Sequence, residues 1–237
     1  RERQPSGFLL ETENQKILLD AGHGTLARLT QLNIDPREID LVFVSHFHTD
    51  HAADIFPLVH ARFCGDLYEQ KKTQDALVVL GAQGAENNFN QWREIFWPEP
   101  QEHPNLQFWE GDGECAWEDI FFSVFPVTHV SCLKSVGIVV RHNGKKIVYP
   151  GDIGSQHDYY DLVAQSYLAD LLIIESGYEF PTPNHFSLDQ ILQLSEEAQV
   201  KKTLIVHIQP GKSGMIASKI KPYKNILMAE DGMMISL

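Results

Sequence analysis

Basic residues, cysteines and long apolar runs are all scarce in this chain, and each scarcity removes a class of function. Lys and Arg total 19 against 32 Asp and Glu, a formal net charge of −13, so the surface as a whole is unsuited to holding a polyanion and any phosphate contact has to be local. The three cysteines, Cys64, Cys115 and Cys132, lack the paired spacing of a zinc knuckle or a disulfide framework. A reducing cytoplasm is the expected compartment. Cys132 lies near His129 in sequence, and a small buried hydrophobe is expected there rather than a ligand. No stretch approaches the roughly 18 apolar residues that cross a bilayer, and the polar opening Arg1-Glu2-Arg3-Gln4-Pro5 does not resemble a signal peptide. A soluble protein with no membrane partner is expected. With 43% hydrophobic residues over 237 positions, the chain can bury a sizeable core, and one domain over residues 1–237 is the simplest organisation.

Histidine is what the chain concentrates. His46-Phe47-His48-Thr49-Asp50-His51 follows the apolar run Leu41-Val42-Phe43-Val44 and places four metal-binding side chains within six residues, although only 11 histidines serve the whole chain. A merely His-rich surface loop would rarely carry the intervening aspartate. Imidazole nitrogen and carboxylate oxygen suit zinc first, and also iron or manganese. A turn leaving a strand can point His46 and His48 at one ion, while Asp50 and His51 reach a second.

Around this hexapeptide the pattern alternates between strand and helix. Phe8–Thr12 and Lys16–Asp20 read as a β-hairpin, residues 26–32 as a short helix ended by Asp35-Pro36, and residues 55–63 as a helix with one apolar side. A strand over residues 76–80 and a helix over 89–96 follow, then a Pro-rich link. The second half reads as strands at 120–127, 136–141, 146–149, 170–175 and 203–208, helices at 159–168 and 188–198, and a closing hairpin. Such alternation predicts a layered α/β domain. His23 is expected in solvent or at a helix cap, His60 in a structural role and His103 exposed. Trp92, Trp97, Trp109 and Trp117 are expected in the core more than along a cleft. Lys201, Lys202, Lys212, Lys219, Lys221 and Lys224 share a stretch without Asp or Glu. That stretch is either a solvated face or a phosphate-steering patch.

His-x-His-x-Asp-His after a buried strand resembles the signature of the metallo-β-lactamase superfamily. Leu18–Gly22, Val127-Thr128-His129, Tyr149-Pro150-Gly151-Asp152 and Leu204–His207 resemble its other strand-end motifs, in the same order. The segments Ala169–Glu175, Asn184-His185-Phe186-Ser187 and Ala229–Met233 are similar to the ribonuclease Z branch. The resemblance implies a four-layer αββα sandwich with the metal site at the edge between two sheets. It implies one metal held by His46, His48 and His129, a second by Asp50, His51 and His207, and Asp152 bridging both. It also implies Asp20 as a support of the histidine loop, Asp50 as a residue that orients the attacking water, His185 as the acid that protonates the leaving group, and Glu175 as the residue that orients His185. The family commonly has a further strand and a Gly-rich turn before the hairpin, and the sequence shows neither.

Two cations sharing a water lower its pKa toward neutrality and stabilise charge on an attacked phosphoryl or carbonyl oxygen, so the reaction expected is hydrolysis. His48 separates the chain from the flavodiiron oxidoreductases, which carry Glu at this position. Two departures weigh against transfer RNA as substrate: only about twenty residues separate His129 from Asp152, with no basic arm among them, and Ile208–Lys212 differs from the family's usual ending. The expected function is therefore a ribonuclease Z-like phosphodiesterase acting on a small phosphodiester. A carboxylic ester, thioester or lactone hydrolase is the alternative, and a non-catalytic metal-binding protein the competing class. The expected partner is the small phosphodiester or ester substrate; RNA is disfavoured because no long basic arm is present, and a second copy of the chain, as a homodimer, is a further candidate.

Overall fold

Short apolar runs separated by amphipathic stretches produce two sheets, one from each half of the sequence. The computed structural model describes residues 3–69, 76–97, 106–176 and 178–237. The chain divides into two compact units, Pro5–Gly111 and Asp112–Leu237, the second joined by Gln4, whose N–H donates to the Asp231 carboxylate at 3.1 Å.

In the first unit β1 (Phe8–Glu11) and β2 (Lys16–Leu19) form the antiparallel hairpin. Next come α1 (Thr25–Gln31), β3 (Leu41–Val44), α2 (Thr49–Ala52), α3 (Ile55–Tyr68), β4 (Leu77–Gly81), α4 (Ala85–Phe96) and β5 (Leu106–Glu110). The strands lie in sequence order, with β2 to β5 parallel. β3 is central and every one of its residues is buried, which is why it reads as an unbroken apolar run rather than an alternation. α3 buries Ile55, Leu58, Val59 and Arg62 at helical spacing. The first three pack with Val42 and Val44, while Arg62 donates to the carbonyls of Pro36, Arg37 and Ile39.

The second unit contains β6 (Gly113–Trp117), β7 (Ile120–Val127), β8 (Ser135–His142), β9 (Lys145–Tyr149), α5 (Tyr159–Ser166), β10 (Leu171–Glu175), α6 (Leu188–Glu197), β11 (Thr203–Val206), α7 (Ser213–Ile220) and β12 (Ile226–Met228). The seven strands again lie in sequence order. β6 to β9 are antiparallel neighbours and β9 to β12 are parallel. By this register β7, β9, β10 and β11 all run the same way, so their carboxyl ends share one edge of the sheet. Ser187 and Gln190 close a capping box at the start of α6, which satisfies two otherwise orphaned donors.

Several expectations are corrected. The closing hairpin does not form: residues 213–220 make a helix, and β12 pairs parallel to β11. Ile216 and Ile220, one helical turn apart, bury against Leu188, Leu192, Ile205 and Ile226, and this gain outweighs the turn signals of Pro210, Gly211 and Gly214. β5 and β6 were not anticipated; their mixed burial leaves neither an alternation nor an apolar run. Cys132 is exposed rather than buried, and Cys64 and Cys115 are half-buried. Trp97 is buried and Trp92 packs on the first core, as expected of core residues, whereas Trp109 and Trp117 are half-buried. His103 and the Pro-rich link lie outside the described residues. Among the described residues no helix is long and apolar enough to cross a membrane.

Candidate metal centre

The first unit presents its donors where β2 and β3 end. These strands are parallel, so Asp20, just past β2, and Ser45-His46, just past β3, emerge at the same edge. Asp20 is fully buried, with φ of 58°, a conformation that a non-glycine residue adopts only when its surroundings hold it there. Its carboxylate accepts the Ser45 N–H at 2.7 Å, the Ser45 hydroxyl at 2.7 Å and the His51 Nδ1–H at 2.6 Å. The Ser45 oxygen in turn accepts His46 Nδ1–H at 3.0 Å. Asp20 therefore sets the tautomers of both His46 and His51, so that Nε2 is the nitrogen with which each could ligate a metal.

His46 Nε2 lies 2.9 Å from His48 Nδ1. Two nitrogens bound to one zinc at about 2.0–2.1 Å in a tetrahedron stand roughly 3.3 Å apart, so the pair converges as two ligands of one ion would. Asp50 and His51, on α2, offer ligand atoms within 4.8 Å of each other. Gly22 makes this turn possible, and through close approach rather than flexibility. A Cβ on Gly22 would stand 2.1 Å from the Asp50 carbonyl oxygen. The neighbouring backbone is stitched to the same turn through Ala21 N–H to His51 O at 2.7 Å and Ser6 N–H to Asp50 O at 3.1 Å. Gly22→Ala is expected to destabilise the protein by about 1–3 kcal/mol, the usual cost of overpacking, and to weaken metal binding; calorimetry and metal titration measure the two. Gly24, with φ of 101°, is the N-cap of α1, and half-buried His23 precedes it without capping.

The second unit gathers its donors on the shared carboxyl edge of β7, β9, β10 and β11. His129 follows β7, Asp152 follows β9, Glu175 ends β10 and His207 follows β11. One oxygen of the buried Asp152, Oδ2, lies 3.9 Å from His129 Nε2 and 3.6 Å from His207 Nε2. His129 donates Nδ1–H to the Asn184 carbonyl at 2.8 Å, which again makes Nε2 the atom that could ligate a metal. The backbone of Thr128, next to His129, is held from both sides, its N–H donated to His157 Nδ1 at 3.3 Å and its carbonyl accepting Gly154 N–H at 2.7 Å. Burial lowers the pKa of His157, which keeps that ring neutral and Nδ1 an acceptor. His207 has φ of 50°, so β11 stops at Val206, short of the expected boundary.

Glu175 is the buried anchor of this edge. It accepts Ile153 N–H at 2.8 Å and His185 Nδ1–H at 2.8 and 2.7 Å on its two oxygens, tying the turn after Asp152 to the histidine of the 182–185 loop. Asp152, Glu175 and His185 also offer ligand atoms within 4.8 Å of one another. The loop packs so closely on Gly154 that a Cβ there would stand 2.0 Å from the Pro183 carbonyl. Sequence reasoning missed Ser45 as a relay and the Asn184 carbonyl as the orienter of His129; a backbone acceptor leaves no side-chain signal to read. Three of the six lysines of the stretch meet acids: Lys201 reaches Asp170 at 2.8 Å, Lys219 reaches Asp189 at 2.7 Å, and Lys212 lies 3.9 Å from Glu179.

The donors are imidazoles and carboxylates, and His46, His51 and His129 have their Nδ1 atoms oriented by neighbouring acceptors; such a set fits divalent zinc, iron or manganese. Comparison with known proteins agrees. A sequence profile described as the Beta-lactamase superfamily domain matches residues 15–208. The chain is 32% identical to ribonuclease Z of Thermococcus kodakarensis over 30% of its own length and 22% of that protein. The probable metallo-hydrolase YhfI of Bacillus subtilis is 22% identical over 86% of this chain and 79% of the relative. The crystal structure of YhfI superposes with a TM-score of 0.81 at 20% identity, covering 97% of this chain and 91% of YhfI. That of human tRNase Z, short form, gives 0.77 at 20% identity, covering 98% and 92%. The match spans only about a fifth of the first ribonuclease Z relative. The profile, by contrast, takes in most of the sequence, and the chain belongs to the metallo-β-lactamase superfamily.

Proposed function

We propose that the chain is a dinuclear metal-dependent hydrolase of small phosphodiesters, with His46, His48 and His129 holding one ion, Asp50, His51 and His207 the other, and Asp152 shared. The observation that carries this reading is the single Asp152 oxygen approached by two Nε2 atoms from different strand ends. A carboxylate serving two ions needs such neighbours. Zinc is the proposed metal. Bound there, two divalent ions would bring the pKa of a shared water toward neutrality and withdraw charge from the attacked phosphoryl oxygen.

The protein's own groups supply the rest. Asp50 orients the attacking water. Glu175 holds the proton on His185 Nδ1, so Nε2 is the atom that delivers a proton to the leaving oxygen as its bond to phosphorus breaks.

A carboxylic ester, thioester or lactone is the second reading, and the pairing of Lys201 and Lys219 with acids favours it, because it lowers the positive potential available to an anionic substrate. The metal-analysed protein, assayed against bis-aryl phosphate, cyclic nucleotides, carboxyl esters and precursor transfer RNA, separates the two. Turnover of diesters with Lys212→Ala raising KM up to about fivefold at low salt, an effect of the size surface charges exert that fades as salt is added, supports the phosphodiesterase. Turnover of neutral esters alone, with no response to Lys212 or to salt, supports the alternative.

A further inference from the structure

Tyr178 stands directly on the imidazole of His185. The ring centroids are 4.4 Å apart and the planes differ by 11°, while His207 lies nearly parallel to the same imidazole at 5.9 Å and 17°. Tyr178 is placed by its backbone: its carbonyl accepts the N–H of Leu188, the first residue of α6, at 3.1 Å, and it bridges to Ser187, the α6 N-cap. The tyrosine is therefore fixed to a capped helix and not to a free loop.

We propose that Tyr178 is a positioning residue for His185, which rests on the reading of His185 as the leaving-group acid. The bond from His185 Nδ1 to the Glu175 carboxylate fixes one corner of the imidazole. A hydrogen bond at one atom tolerates rocking of the ring about the Nδ1–H···O direction, and rocking swings Nε2, on the far side, away from the leaving oxygen. A flat aromatic face at stacking distance removes that rocking, and it does so through its π surface, with no requirement for the phenol hydroxyl. Misplacement of a reacting atom is costly in rate.

The test compares Tyr178→Phe, Tyr178→Leu and Tyr178→Ala in the zinc-loaded protein, on a diester with an alkoxide leaving group and on one with an activated aryl leaving group. Phe is expected to retain wild-type values. Leu and Ala are expected to lower kcat on the alkyl diester by about 3- to 10-fold, the range an aromatic pair supports, with KM and aryl-ester turnover little changed. In NMR spectra the His185 ring protons should show an upfield ring-current shift in wild type and Tyr178→Phe, lost in Leu and Ala. Adding Tyr178→Ala to His185→Ala should cost nothing further. Loss on both substrates alike, a Phe variant as impaired as Ala, or full additivity with His185→Ala would overturn the proposal. If His185→Ala itself fails to distinguish the two leaving groups, the reading of His185 as the acid fails, whatever Tyr178 does. If His185→Ala distinguishes them and Tyr178→Leu does not, the positioning role alone fails.

Discussion

Asp152→Ala is expected to abolish hydrolysis and to weaken both metal sites at once, so that protein purified and dialysed with stoichiometric zinc retains less than one ion per chain. The carboxylate lies within 3.9 Å of both His129 Nε2 and His207 Nε2, and in the proposed assignment it is the only residue common to the two ions. Losing an outer partner of a ligand already costs about 10- to 100-fold in metal affinity, so loss of a shared ligand should exceed that range for each ion. His48→Ala, in contrast, should weaken one ion preferentially. Metal analysis after dialysis, with calorimetric titration of the depleted proteins, distinguishes them; a two-ion Asp152→Ala protein contradicts the bridging role.

His185→Ala should separate substrates rather than metals. A general acid contributes about 10²- to 10⁴-fold when the leaving group needs a proton, so kcat on alkyl diesters should fall into that range, while aryl esters that expel a stable phenolate should lose little. Metal content should stay at two per chain. Glu175→Gln should follow the same substrate pattern more weakly, and with some loss of stability, because the buried carboxylate also accepts Ile153 N–H. Equal losses on both substrate classes would assign His185 to binding or structure.

Much of this geometry was legible in the sequence because it sits where strands end. Apolar runs locate β3, β9, β10 and β11 to within a few residues, and the residues just beyond them are the histidines and carboxylates of the candidate centre. Asp20 was legible as the support of the histidine loop, and it holds Ser45 and His51 directly. What escaped the sequence has three physical causes. Backbone acceptors such as the Asn184 carbonyl carry no residue signature. Helix α7 was hidden by Pro210 and Gly211 just before it and Gly214 within it, since only tertiary burial of Ile216 and Ile220 decides that segment. The acidic partners of Lys201, Lys212 and Lys219, namely Asp170, Glu179 and Asp189, come from other parts of the chain and leave no local sign in the lysine-rich stretch.

The central claim is that donors from both halves of the sequence hold two ions sharing Asp152, and X-ray absorption at the zinc edge of the fully loaded protein tests it most directly. The account predicts a first shell of nitrogen and oxygen at about 2.0–2.2 Å with no sulfur at about 2.3 Å, and a metal–metal vector at about 3.5–4 Å that disappears in Asp152→Ala. A single ion with no metal–metal vector, or a sulfur shell that places a cysteine in the centre, would contradict it.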